Sequence, residues 1–332
     1  MSGIATTGPS RNRWLTAAAW RSLFRDRPMI PLLALLLVLV IVSDIVRPGV
    51  VGTEWVGIML RAAVPLAILA ACQTLTMLTG GIDLSVGAVA SMAGFVVISL
   101  VLSIGLPAAI VVALICALIA GLVNGIGVGV FKVHPLIMTL GMSLVVLGAA
   151  NFWQIQTVQT SSGVPPAIRT LGSDVFAEVL PYSLIVFIPL AIVILVGLRR
   201  TGYGRLLYAV GDNPVAARLS GARSWQVLVV LYIISALLAA IAGFLYAGYT
   251  NVASVSLVDS AVLPSVAAAV IGGTSIMGGR GGFGGTIVGV LILTVISSLL
   301  TSLGYPEAVR QVLFGAIIVA VAAAYTRVTD QT

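Results

Sequence analysis

The stretch LSVGAVASMAGFVVISLVLSIGLPAAIVVALICALIAGLVNGIGVGVF, residues 84–131, contains no Asp, Glu, Lys or Arg. A helix crosses the apolar core of a bilayer in about 20 residues, so this stretch is long enough for two crossings. We predict two transmembrane helices here, separated near Gly105-Leu106-Pro107. No strand-like alternation of apolar and polar residues is present, which argues against a membrane β-barrel.

The rest of the chain has the same character. Hydrophobic residues make up 60% of it and charged residues only 8%, whereas soluble domains carry about 25% charged residues. Further stretches without charge cover residues 62–82, 179–198, 224–258, 260–279 and 281–306. The composition therefore predicts an all-α integral membrane protein, a polytopic bundle of about ten transmembrane helices (eight to ten).

The ten predicted segments are residues 28–46, 56–79, 84–104, 106–130, 134–152, 180–198, 225–249, 261–277, 284–304 and 308–326. The eighth contains Pro264 and glycines, so we do not expect it to cross as one straight helix. The predicted division is a basic N-terminal segment 1–27, a transmembrane domain 28–327 that includes a loop at 199–224, and a tail 328–332.

Lys and Arg predict the orientation, because they are enriched in cytoplasmic loops. With both termini in the cytoplasm, three arginines fall outside the cell, Arg61 falls within a span, and the remaining basic residues are cytoplasmic. The outer three are Arg47, Arg169 and Arg310. The basic residues are spread over several short loops rather than forming one stripe, so we expect no nucleic-acid binding.

The sequence carries no sign of catalytic chemistry. The phosphate-binding pattern GxxxxGK[S/T] is missing, and Lys132 is the only lysine. A match to GxGxxG at residues 279–284 lacks the flanking strands of a dinucleotide-binding fold. Two cysteines and one histidine offer no metal-binding spacing. We expect neither enzyme activity, nor a bound cofactor, nor a metal site.

The first of three organised segments is Gly80-Gly81-Ile82-Asp83-Leu84-Ser85-Val86-Gly87. The glycines predict the end of one helix, and Asp83 is expected to cap the next by accepting first-turn amides. A functional interpretation stands beside this one: Asp83 and Ser85 lie at the inner mouth of a transport pathway.

The second segment, residues 208–222, predicts a short helix in the largest inner loop. Asn213 is its expected N-cap, Pro214 its first residue, and Gly221 follows its end. Val215 and Leu219 then share one face. Because so short a helix is unstable alone, it packs on the protein's own surface or docks on a cytoplasmic partner.

The third segment, residues 270–289, is rich in glycine and includes Thr274 and Ser275. It is either a turn with small-residue packing or part of a gate. Polar side chains within spans, Gln73 and Asn124 among them, satisfy each other or line an uncharged pathway. Such a pathway suits a neutral polyhydroxy solute better than an ion.

At these segments the chain resembles the permease subunits of ribose-type ABC importers. The resemblance is carried by residues 78–87 (LTGGIDLSVG), 200–205 (RTGYGR), 209–221 (AVGDNPVAARLSG) and 268–275 (AAVIGGTS), and it runs from about residue 55 to 327. The first motif is quite specific to this family, and the others occur more loosely in nucleoside and branched-chain amino-acid permeases. One departure is Ala261-Val262-Leu263-Pro264, where many members have an acidic stretch.

The resemblance implies import of a monosaccharide or polyol across the bacterial inner membrane. It implies a cytoplasmic ATPase subunit that uses ATP and Mg, an extracytoplasmic sugar-binding protein, and a second permease copy in a homo- or heterodimer embedded in membrane lipid. It also implies that residues 213–221 form the coupling helix: Asn213, Pro214, Val215, Ala216, Ala217, Arg218, Leu219, Ser220 and Gly221. The pathway or gate candidates are Gln73, Asp83, Ser85, Asn124, Thr274 and Ser275. A permease for nucleosides or another small solute, and a stand-alone facilitator or channel, remain open alternatives.

Overall fold

The computed structural model describes residues 29–157, 163–176, 179–252 and 254–329. The predicted basic segment 1–27 and the end of the predicted tail, residues 330–332, lie outside the described residues.

The described residues form helices, mostly joined by short connections, and one small hairpin. The elements are α1 (Met29–Val46), α2 (Thr53–Met77), α3 (Val86–Ile104), α4 (Leu106–Gly129), α5 (Pro135–Thr157), α6 (Pro166–Ser173), β1 (Val175–Phe176), β2 (Leu180–Pro181), α7 (Ser183–Arg200), α8 (Gly202–Asp212), α9 (Pro214–Leu219), α10 (Ser224–Thr250), a 3-10 turn (Asp259–Ala261), α11 (Val262–Ile271), α12 (Phe283–Ser302) and α13 (Glu307–Thr329). Strands β1 and β2 pair antiparallel.

Within those ranges, eight helices are long and apolar enough to cross a membrane: α1, α2, α3, α4, α5, α7, α10 and α12. This agrees with the predicted range of eight to ten. The predicted break in residues 84–131 is confirmed, because Gly105 has φ +77 and separates α3 from α4. Helix α13 covers the predicted tenth segment.

The bundle has two ends. The α9 end carries α8, α9 and the connections α2–α3, α4–α5 and α11–α12. The hairpin end carries α6, the hairpin and the connections α1–α2 and α12–α13. Two contacts join elements at the hairpin end: Trp55 Nε1 donates to Ser298 Oγ at 3.0 Å, and Arg61 donates to the carbonyl of Ser173 at 2.9 Å. Arg61, predicted within a span, thus reaches the carboxyl end of α6, which favours a cation.

The crossing that follows α10 has two parts, an irregular stretch and then α11, and the predicted eighth segment, residues 261–277, contains only the second of them. After α10 the chain returns from the hairpin end in irregular structure, and the amide of Val258 donates to Ser91 Oγ, in the second turn of α3, at 2.9 Å. Helix α11 then covers the remaining distance to the α9 end. Irregular backbone at membrane depth requires such internal partners, because lipid offers none.

Helix α10 lies at the centre and packs on α2, α3 and α4. Glycines on one face of α4 allow its antiparallel approach to α10. A Cβ at Gly125 would lie 2.6 Å from Val229 Cα, and one at Gly121 would lie 2.6 Å from the Tyr232 carbonyl oxygen. Small residues of this kind let membrane helices pack closely.

Candidate transport and coupling site

Asp83 lies in the α2–α3 connection and is only 1% exposed. Its Oδ1 accepts hydrogen bonds from the Ser85 amide at 3.0 Å and from Ser85 Oγ at 2.6 Å. Its Oδ2 accepts from Ser235 Oγ, in α10, at 2.9 Å. Burial raises the pKa of the Asp83 carboxyl, and these three hydrogen bonds oppose that shift by stabilising the carboxylate.

No basic side chain of the described residues pairs with this carboxylate. Across the described part of the chain, the one ion pair joins Arg310 to Glu307, both at the start of α13. The stability of the Asp83 carboxylate therefore depends on hydrogen bonds that come from two separate parts of the fold.

Gln73 and Asn124 extend the same network. The Gln73 side chain holds the backbone of Asp83 from both sides: Nε2 donates to the Asp83 carbonyl at 2.8 Å, and Oε1 accepts from the Asp83 amide at 3.3 Å. Asn124 Nδ2, in α4, donates to Ser85 Oγ at 2.9 Å. We call this set the Asp83 network; it comprises Gln73, Asp83, Ser85, Asn124 and Ser235.

The structure thus brings four of the six predicted pathway candidates together. All four are buried among α2, α3, α4 and α10. In this conformation their hydrogen bonds link these helices to one another. Whether they line a transport pathway stays a prediction. Asn124 Oδ1 is buried without a protein partner.

The expected capping by Asp83 is wrong in detail. Helix α3 begins at Val86, its N-cap is Ser85, and no side chain caps it. Asp83 accepts the amide of Ser85 rather than the first-turn amides. The predicted end of the preceding helix is confirmed, because α2 ends at Met77 and Gly80 follows with φ +78.

Thr274 and Ser275 lie apart from the network, in the connection between α11 and α12. We call residues 272–282 the glycine-rich loop. The Ser275 amide donates to the Arg280 carbonyl at 3.0 Å, and Ser275 Oγ accepts from the Met277 amide at 3.2 Å. Ser275 therefore stabilises the turn of the loop, while Thr274 Oγ1 is buried without a protein partner.

The predicted helix of residues 213–221 is confirmed as α9. Asn213 Oδ1 accepts from the amides of Val215 at 3.0 Å and Ala216 at 2.9 Å. Pro214 is the first helical residue, and Gly221 follows the end with φ +87. Val215 is 55% exposed and Leu219 is 85% exposed, so α9 presents an unpartnered apolar face.

Helix α8 was not predicted, although it directly precedes α9. Its N-cap is Thr201, whose hydroxyl accepts from the Gly204 amide at 3.1 Å. Tyr203, Leu207 and Val210 pack inward at helical spacing, a pattern that would have predicted the helix. Tyr203 donates to the Val227 carbonyl at 3.0 Å and so anchors α8 on α10.

A crevice of about 740 Å³ lies between α8, α9 and the start of α10. Asn213, Ala217, Arg223 and Val227 are among its lining residues, whereas Val215 and Leu219 are not. The apolar face of α9 therefore points away from the crevice, toward the outside of the protein.

The order of these features along the chain agrees with a known family. Residues 55–322 match the family described as "Branched-chain amino acid transport system / permease component". The chain belongs to this family. The match spans the permease from α2 into α13 and includes the Asp83 network, the glycine-rich loop and α9.

Curated relatives of the permease cover nearly its full length. The fructose import permease protein FrcC of Rhizobium meliloti is 33% identical over 298 residues, which are 87% of this chain and 82% of that protein. The ribose import permease protein RbsC of Bacillus subtilis is 32% identical, covering 85% and 88%. The galactofuranose transporter permease protein YtfT of Escherichia coli is 32% identical, covering 95% and 92%. No solved structure is significantly similar to the chain.

Proposed function

We propose that this permease is the membrane-spanning subunit of an ATP-driven importer in the bacterial inner membrane, and that its solute is a monosaccharide or polyol. The observation that carries the proposal is similarity over most of the chain to permeases named for fructose import, ribose import and galactofuranose transport. The buried polar groups of the bundle support a neutral solute, because most of them are amides and hydroxyls.

Energy for uphill transport comes from a separate ATPase subunit, which binds the ATP and Mg. Residues 213–221 are the coupling helix. The exposed Val215 and Leu219, with Arg218 beside them, suit a groove that has an apolar floor and an acidic rim. A helix of this length persists only when it is held by neighbouring surfaces.

The α9 end faces the cytoplasm, and both termini lie on that side. Among the described residues, Lys132, Arg199, Arg200, Arg205, Arg218, Arg223 and Arg280 belong to the α9 end, whereas Arg47, Arg61, Arg169 and Arg310 belong to the hairpin end. This asymmetry supports the orientation. The hairpin end then receives an extracytoplasmic sugar-binding protein, and a second permease copy completes the assembly.

Reconstitution tests this assignment. The permease is assembled in proteoliposomes with its ATPase subunit and its binding protein, and uptake of labelled pentoses, hexoses and polyols is measured. Thermal-shift screening of the binding protein selects the solute. We expect uptake against a gradient only with ATP, Mg and all components present.

Two results would contradict the proposal. Equilibration of the solute by the permease alone, without ATP, would indicate a facilitator or channel. ATP hydrolysis by the purified permease, free of the ATPase subunit, would place the energy source in this chain.

A further inference from the structure

Three backbone segments meet at the α9 end of the bundle. The amide of Gly279, in the glycine-rich loop, donates to the carbonyl of Leu78, just after α2, at 2.9 Å. Gly211, in the last turn of α8, lies against both: a Cβ there would lie 1.8 Å from Leu78 O and 2.8 Å from Gly279 N. We call Leu78–Gly80, Gly211–Asp212 and Gly278–Gly279 the glycine node.

The glycine node leaves no room for side chains between its segments. A Cβ at Gly278 would lie 2.8 Å from the Gly211 carbonyl oxygen and 2.9 Å from the Gly80 amide nitrogen. Gly278 and Gly279 also have positive φ, which other residues adopt at a cost. Backbone therefore touches backbone directly, and no flexible side chain lies in between to absorb a displacement.

Tyr208 provides a second link between α8 and the glycine-rich loop. Its hydroxyl donates to the Gly281 carbonyl at 2.9 Å. Burial raises the pKa of Tyr208, an effect that nearby Arg199 partly offsets. The hydroxyl therefore remains protonated and able to donate at neutral pH.

The glycine node stands between α9 and the interior of the bundle. Asp212 ends α8, and the next residue, Asn213, caps α9. On the other side, Leu78 begins the connection that carries Asp83, whose carboxylate bonds to Ser235 of central helix α10. The glycine-rich loop joins α11 to α12. A continuous chain of contacts thus runs from α9 to α2, α3, α10, α11 and α12.

We propose that the glycine node transmits displacement of α9 into the membrane, and that Gly211 and Tyr208 are positioning residues for transport. This inference rests on the proposed function of α9 as the coupling helix. On one side α8, an 11-residue helix, separates α9 from α7. On the other side α10 begins at Ser224, soon after α9 ends, so the route through the node acts in addition to a direct pull on α10. Coupling needs a physical element that both sites bias, and the node is that element.

Two pairs of variants in the reconstituted complex test the route. Tyr208→Phe removes the link to Gly281, and Tyr203→Phe is its control because it removes a similar hydroxyl that bonds α8 only to α10. Gly211→Ala forces α8 away from Leu78. Gly202→Ala is its control on the same helix, where a new Cβ would meet only Arg205, at 3.8 Å. The readouts are co-purification of the ATPase subunit and solute transported per ATP hydrolysed.

We expect both node variants to retain the ATPase subunit and its ATP hydrolysis. The solute transported per ATP should fall about fivefold in Tyr208→Phe, the factor by which loss of one hydrogen bond shifts a conformational equilibrium. It should fall further in Gly211→Ala and stay at the wild-type value in both controls.

A wild-type ratio in Tyr208→Phe, or an equal fall in Tyr203→Phe, would overturn the route through the glycine node. Because Tyr208→Phe preserves the shape of the side chain, it decides the question even if Gly211→Ala does not fold. Failure of the wild-type permease to bind the ATPase subunit would instead contradict the proposed function itself.

Discussion

At the scale of single residues, Asp83 combines burial with a carboxyl group that has no cationic partner among the described residues. Its carboxylate depends on Ser85, two positions along the chain, and on Ser235 in α10. The first partner follows from local sequence and the second does not. Asp83 therefore stabilises both the local turn and the packing of that turn against α10.

The first residue-scale prediction concerns Asp83→Asn. The amide oxygen can still accept from Ser85, and Ser235 can turn its hydroxyl to accept from the new amide group. We therefore expect normal expression. Uptake should fall, because Asn places a donating amide group opposite Ser235 in place of the accepting oxygen, which weakens the contact between the α2–α3 connection and α10. The measurements are membrane-protein yield and the initial uptake rate.

Asp44→Asn is the matched control. Asp44 accepts from the Gly49 amide at the hairpin end and is exposed, so its charge contributes to no buried network. Normal uptake by Asp83→Asn, equal to that of the control, would assign Asp83 to the local turn alone.

At the scale of elements, α9 shows that local sequence can predict both ends of a short helix. Asn213, Pro214 and Gly221 predict its start and its end, because capping, the fixed φ of proline and a positive φ are local properties. Helix α8 shows the opposite error. Its inward-facing residues have the helical spacing that predicts a helix, whereas the capping residues Asn213 and Gly221 mark only the helix that follows.

The element-scale prediction is that Ala217→Pro breaks α9. Proline there removes the hydrogen bond from the Ala217 amide to the Asn213 carbonyl, observed at 3.0 Å, and costs about 3 kcal/mol in a helix interior. We expect the variant to insert in the membrane normally but to lose transport and co-purification with the ATPase subunit.

Leu219→Ala serves as the companion variant, because the Leu219 side chain is exposed and contributes little to packing within the permease. It should weaken ATPase binding while α9 stays intact. Wild-type transport and ATPase binding by Ala217→Pro would show that α9 is only a packed surface segment.

At the scale of the whole molecule, most of the described basic residues lie at the α9 end, which agrees with the order in which the chain crosses the bundle. The eighth crossing is the part that departs from a simple series of helices. The predicted interruption by glycines is found where α11 ends before Gly272, but Pro264 lies in the first turn of α11 and does not interrupt it. The irregular stretch lies before α11, where Ser91 accepts a hydrogen bond from the Val258 amide. That contact joins residues 167 positions apart in the sequence, beyond the reach of a local pattern.

The whole-molecule prediction concerns orientation. Ala167→Cys, in exposed α6, should react with a membrane-impermeant thiol reagent in intact cells. Leu219→Cys, in α9, should react only after the membrane is opened. The unmodified permease is the control, because Cys72 is buried and Cys116 is partly buried within the bundle. The reverse pattern of labelling would refute the proposed orientation.

The sequence by itself determined the membrane class, the approximate number and limits of the spans, the break at Gly105, the cap of α9 and the family resemblance. These follow from segment length, hydropathy and local backbone preference, which act over a few residues. It also identified Gln73, Asp83, Ser85 and Asn124 as unusual polar residues within apolar surroundings.

Tertiary structure alone decided what those residues touch. Ser235 is one small polar residue in a long apolar helix, and nothing local marks it as the partner of Asp83. Local sequence does not predict the glycine node either, because glycines such as Gly211 and Gly279 occur in many loops and helix ends. Only the packing of α2, α8 and the glycine-rich loop brings their backbones into contact. Such contacts depend on the relative placement of distant segments, which propensity and periodicity do not encode.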